Sequence, residues 1–227
     1  MLDAHLQRFY AVLRQCSDGG LRHLAACHGR LEWPQRGVYF FFEDGEDRSD
    51  RSPRVVRVGT HAVSANSQTT LWKRLSQHRG PVSGAGNHRG SIFRLHVGGA
   101  MLARHASTLP VVGCWGDDAK PTSVAEASAE EAVERAVSTY IGRMPFVFVD
   151  ADDVPSRESR RATSERNSIG LLTAARRAGV EGPSERWLGH SCPHPVVRAS
   201  GLWNVNHVDA RYDPAFLDLL ESVAPKR

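Results

Sequence analysis

The sequence predicts a mixed α/β (α+β) fold, an antiparallel sheet with helices around it. Three observations lead there. Two short runs rich in aromatic and β-branched residues, 37–42 and 55–59, flank a charged, glycine-bearing stretch, the pattern of a hairpin. A third such run, 146–149, follows Pro145 far downstream. Segments with helical apolar spacing lie before, between and after these runs, so strands and helices must share one core.

In chain order, Leu2, Leu6, Phe9, Tyr10 and Leu13 share one face of a helix over residues 2–15. Residues 21–27 read as a second short helix ended by Gly29, and Trp33-Pro34 breaks helix before the first strand. Because 37–42 is apolar on nearly every position, it is expected to be a central strand, with 43–53 as the hairpin loop and 55–59 as its antiparallel partner. A helix follows over 70–79, with Leu71 and Leu75 facing inward. Residues 91–97 alternate Ile92, Arg94 and His96 with Phe93, Leu95 and Val97, which reads as a strand. Ser128 with Glu131 makes a capping box for a helix running to 141. Ser156 opens a long helix through Arg177 that Gly179 stops, and Asp213-Pro214 opens a last helix over 216–223. The expected organisation is a helical extension over 1–34 and one domain over 35–227, carrying an insertion at about 80–144 and a C-terminal segment.

Bulk composition narrows the function classes. Apolar residues are 41% of the 227 and charged residues 24%, which excludes disordered and fibrous classes. No apolar stretch reaches the ~18 residues that span a bilayer, and residues 1–10 lack a signal-peptide pattern, so a cytoplasmic location and no membrane partner are expected. Cys16, Cys27, Cys114 and Cys192 have no paired spacing and read as ordinary buried or half-buried thiols. The pI is near 9.1, with basic residues clustered at 51–57, 73–79, 157–166 and 176–186. Gathered in space, such clusters form the groove that a polyanion needs, and Arg57, Lys73 and Arg79 are candidate nucleic-acid contacts.

Several side chains could do chemistry. Arg74 and His78 lie four apart on the 70–79 helix and therefore share a face. A guanidinium can hold a phosphate through two donors, and an imidazole beside it can move a proton. Tyr39 stands inside an apolar strand, and pairing with the second strand could bring its hydroxyl near Arg57 or His61. Glu165, on the long helix behind the third strand, is a carboxylate of the kind that holds one hard divalent cation whose remaining ligands are water and phosphate. A surface ion pair is the competing reading of that carboxylate, and Glu130, Glu131 and Glu134 are rival candidates.

The order of these motifs resembles the GIY-YIG nuclease superfamily. Gly37-Val38-Tyr39 in "GVYFF" matches the first signature, and Arg57-Val58-Gly59 in "VRVGT" stands where the second falls. Arg74 is similar to the helical arginine, His78 to the histidine of the Arg-x-x-x-His variant in restriction-type members, and Glu165 to the metal-binding glutamate. Asn204 in "SGLWNVNH" resembles the late asparagine. The resemblance implies a three-stranded antiparallel sheet flanked by helices, DNA as partner, and hydrolysis of phosphodiesters with one Mg²⁺ or Mn²⁺ held by Glu165. It further implies that Arg74 offsets phosphoryl charge, and that Tyr39, assisted by His78, orients or deprotonates the attacking water. One position departs: Arg57 replaces the second tyrosine, and a guanidinium cannot act as a base. His61, just past the Gly59 turn, could take over proton transfer. The insertion offers His88 and Arg89 to phosphate or serves only as scaffold. A non-catalytic nucleic-acid-binding or assembly module on the same fold is the alternative function.

Overall fold

A computed structural model describes residues 1–17, 20–113, 115–117 and 120–223; Cys114 lies outside them. The helices are α1 (Leu2–Cys16), α2 (Leu71–Arg79), α3 (Ile92–Arg104), α4 (Val124–Arg143), α5 (Arg160–Arg177), α6 (Pro195–Ser200) and α7 (Phe216–Val223). The strands are β1 (Arg22–His23), β2 (Gly37–Asp47), β3 (Pro53–Gly59) and β4 (Pro145–Asp150), antiparallel in the order β1-β4-β2-β3. β2 is therefore central, as its apolar sequence requires. The three expected strands form the sheet, and β1 adds a two-residue edge to β4.

Alternation along β2 divides the core in two. Val38, Phe40 and Phe42 face one side, where α1, α5 and α7 contribute Phe9, Leu13, Ile169, Leu172 and Leu217. Tyr39 and Phe41 face the other, where α2, α3 and α4 contribute Leu71, Leu75, Phe93, Val97, Val137 and Ile141. Each fully buried side chain of this size contributes roughly 1.5–3 kcal/mol. Both faces are covered, which is why the strand sequences show no polar side. Helix α1 is thereby part of the main core, packed between α5 and α7.

Five local expectations are corrected. Residues 91–97 are not a strand but the start of α3. Ser91 caps the helix by accepting from the Arg94 N–H at 3.3 Å, and Phe93, Val97, Ala100 and Met101 face the core at helical spacing. Alternation misleads there because Arg94 and His96, polar by type, are buried. Helix α4 starts earlier than expected, at a capping box made by Ser123 and Glu126, not Ser128 and Glu131. Residues 21–27 form β1 and a single 3₁₀ turn (Leu24–Ala26). Finally, the hairpin strands extend well into 43–53, because Glu46 turns inward to a buried ion pair with Arg54 at 2.7 Å and the chain reverses at 48–52. The long helix also begins slightly later than expected, capped by Ser159.

The 80–144 segment forms the layer that holds α2. Arg94, fully buried, donates to the His78 carbonyl at 2.9 Å and to the Glu134 carboxylate, which also accepts from the His88 backbone and ring. Breaking a buried ion pair from one side strands the other charge. Glu134→Ala is expected to destabilise the protein by about 3–5 kcal/mol, read as a large fall in the urea midpoint, whereas the exposed Glu131→Ala should stay within ~0.5 kcal/mol.

Candidate active site

Tyr39 and Gly59 are cross-strand partners, and the phenol ring lies directly over Gly59. A side chain at position 59 would overlap the Tyr39 ring and hydroxyl, which is the reason for glycine there. Gly37 is required differently: a Cβ would come within 2.6 Å of the Val149 carbonyl on β4. Both signature glycines therefore answer to strand packing around Tyr39.

The Tyr39 hydroxyl, fully buried, is 2.8 Å from His78 Nε2, and His78 Nδ1 is 2.8 Å from Ser91 Oγ. Arg57, buried beside Tyr39 and coupled to it electrostatically, lies over the Phe93 ring and donates to the Trp203 carbonyl. Burial, reinforced by the charges of Arg74, Arg57 and Arg94, pushes the His78 pKa well below the usual imidazole value. His78 is accordingly neutral, with Nε2 toward Tyr39 and Nδ1 toward Ser91.

Glu165 reaches this group from α5. Its Oε1 accepts from the Thr60 N–H at 3.1 Å, at the end of β3. Burial pushes the carboxyl up from its ordinary range, opposed by Arg57, the Thr60 amide and Arg74. Arg74 is half-exposed on α2, 3.0 Å from Gln77 Oε1, and it bears electrostatically on Glu165, Arg57 and His78. A groove of about 510 Å³ lined by Ser76, Gln77, Arg79, Asn87 and Gly90 opens beside it. Tyr39, Arg57, Arg74, His78 and Glu165, far apart in sequence, thus share one locality.

The remaining candidates are placed otherwise. His61 is buried, with Nε2 at 3.3 Å from the Gln35 carbonyl, and burial brings its pKa down to about 4. Its backbone carbonyl is gripped by Arg161, a fully buried residue that also binds Asp153. Asn204 uses both amide groups on β3, accepting from Val58 N–H at 3.0 Å and donating to Val58 O at 2.8 Å. It extends the sheet edge like a strand residue and fixes Trp203, whose carbonyl holds Arg57. Arg57 is itself buried, so it reaches inward, not out to solvent. His88 is buried against Glu134 and stacked on Trp115, and Arg89 pairs with Glu130 at 2.7 Å. Lys73 is exposed on α2, and Arg79 is tied to the Cys27 and Gly80 carbonyls. Ser91, Trp203 and Arg161 support the site without any sequence signal that marked them.

Among the described residues no group of three or more His, Cys, Asp and Glu side chains is arranged to hold a metal by itself. Glu165 does fit a hard divalent cation. It is a single, largely buried carboxylate whose ionised form is poorly solvated and gains from a positive charge beside it.

Compared with known protein families, the chain matches the GIY-YIG domain over residues 2–227. It belongs to that family, whose members are generally divalent-metal-dependent nucleases acting on DNA. Comparisons with curated proteins and with solved structures gave no match. Among the described residues no helix is long and apolar enough to cross a membrane.

Proposed function

We propose that this protein is an endonuclease that hydrolyses DNA phosphodiester bonds with one Mg²⁺ or Mn²⁺ held by Glu165. The observation that carries this reading is the Tyr39–His78 hydrogen bond at 2.8 Å, set among Arg57, Arg74 and Glu165. A bound divalent cation supplies charge stabilisation at the departing oxygen.

The side chains do the rest. Tyr39 presents its oxygen to the attacking water while its proton stays directed at His78 Nε2, so the water is oriented with a lone pair toward phosphorus. His78, held neutral and locked by Ser91, keeps that acceptor in place and receives the phenol proton as the water gives up its own. Arg57, in the position of the missing second tyrosine, lowers the cost of negative charge on the Tyr39 oxygen. Arg74, the half-exposed cation, meets the phosphoryl oxygens as charge builds on them. His61 is not needed as a replacement base in this scheme, since its ring is bound to the Gln35 carbonyl.

Supercoiled plasmid and single-stranded circles, each incubated with Mg²⁺, Mn²⁺ or chelator, test the proposal. Metal-dependent nicking is expected, slowed about 10²-fold or more by Arg74→Ala. Nicking that survives both Arg74→Ala and Glu165→Ala would reject this site. Tight binding with no cleavage by the wild type would favour the non-catalytic module.

A further inference from the structure

We infer that the flank of α2 carrying Trp72, across the helix from Arg74, binds unpaired DNA by base stacking, so that the substrate carries a single-stranded segment next to the cut. The inference rests on the nuclease reading only in taking DNA as the partner. It begins with the geometry of α2. Leu71, Leu75 and His78 point inward, so at 100° per residue Arg74 falls on one flank while Trp72 and Arg79 fall on the other. Lys73 is exposed on the crest between them.

On the second flank Trp72 stacks on Trp33, ring centroids 5.0 Å apart at 22°, and both indoles are half-exposed. A cation lies over each ring: Arg79 is 5.2 Å from Trp72 and Arg22 is 5.5 Å from Trp33. Arg22 is exposed and also covers Phe148 at 5.2 Å. None of Arg22, Lys73 or Arg79 has an ion pair to a carboxylate among the described residues. Positive charge is therefore available to phosphate along the whole crossing, a helix diameter of about 10–12 Å.

Charge alone would serve a duplex backbone equally well. Two half-exposed indoles capped by guanidiniums add something a duplex cannot use, because its bases are already stacked. An unpaired base can replace Arg22 on the Trp33 face or stack beyond its planar guanidinium. A strand held there and led over Lys73 arrives at Arg74.

The test uses the full-length protein in EDTA, so that no strand is cut. It compares labelled oligo(dT), an abasic oligomer of equal length and a duplex of equal length. Wild type is expected to bind oligo(dT) roughly tenfold or more tighter than the abasic strand, with indole fluorescence quenched on binding. Trp33→Leu, which keeps apolar bulk, should remove that preference and leave duplex affinity within about twofold. Equal wild-type affinity for oligo(dT) and the abasic strand overturns the inference whatever the variant does. So does a Trp33→Leu protein, folded by its Tm, that loses both ligands equally or neither. Trp33-dependent oligo(dT) binding without plasmid nicking would end the nuclease reading and leave this one standing; nicking with Trp33-independent binding would do the reverse.

Discussion

Glu165→Gln is expected to abolish metal-dependent nicking and, at neutral pH, to make the protein more stable. The amide retains the hydrogen bond from Thr60 but cannot hold a hard cation. The carboxyl is pushed up from its ordinary value of 4.5 first by burial, so the ionised form is the strained one. In the pH window between that ordinary value and the raised one, the folded protein binds more protons than the unfolded chain. Glu165 therefore costs stability as pH rises through that window, while cation binding and turnover increase over the same window. Glutamine removes that cost, so Tm at neutral pH is expected to rise. Thermal scans across pH, paired with nicking rates, check both halves. An unchanged or lower Tm at neutral pH would show that Glu165 is already satisfied in the folded protein and is not held ready for a cation.

Arg57→Met should lower kcat by about 10²-fold and leave KM for DNA within a factor of about three. The reason is placement. Arg57 is buried, bound to the Trp203 carbonyl and electrostatically coupled to Tyr39, so it is expected to act on the charge that develops at Tyr39 and not on bound DNA. Methionine fills the space over Phe93 without the charge. A surface phosphate contact would give the opposite split, with KM and its salt dependence changing and turnover preserved. Single-turnover kinetics at two salt concentrations separate the two. Loss of fold is read independently from Tm, because the Trp203 carbonyl loses a donor.

The elements most legible in the sequence were those whose sequence pattern and environment agree. The strand at 37–42 is apolar throughout because helices cover both sheet faces, and the helix at 71–79 shows its spacing because only Leu71, Leu75 and His78 turn inward. Reading failed where a polar residue is buried. Arg94 and His96 made a helix look like an alternating strand, and Glu46 made a strand look like a loop; Arg94 is compensated by Glu134 on another helix and Glu46 by Arg54 across the hairpin. The same difficulty affected the site. Tyr39, Arg74, His78 and Glu165 could be picked out because their order along the chain resembles a known pattern. Ser91, Trp203 and Arg161 could not, because a serine cap, a backbone carbonyl and a buried arginine have no signature until their partners are in place.

From the sequence alone came the mixed class, the central strand, the glycines at 37 and 59, and the small group of side chains able to handle a phosphate. The tertiary structure alone decided how those groups are used. It directed Arg57 inward to Tyr39, tied Asn204 to Val58 and His61 to Gln35, and enclosed His88 against Glu134. The physical reason is that a side chain's chemistry depends on its solvent exposure and on the charges within a few ångströms. Both are set by contacts between residues distant in sequence, 26 positions apart for His61 and Gln35 and 146 for Asn204 and Val58.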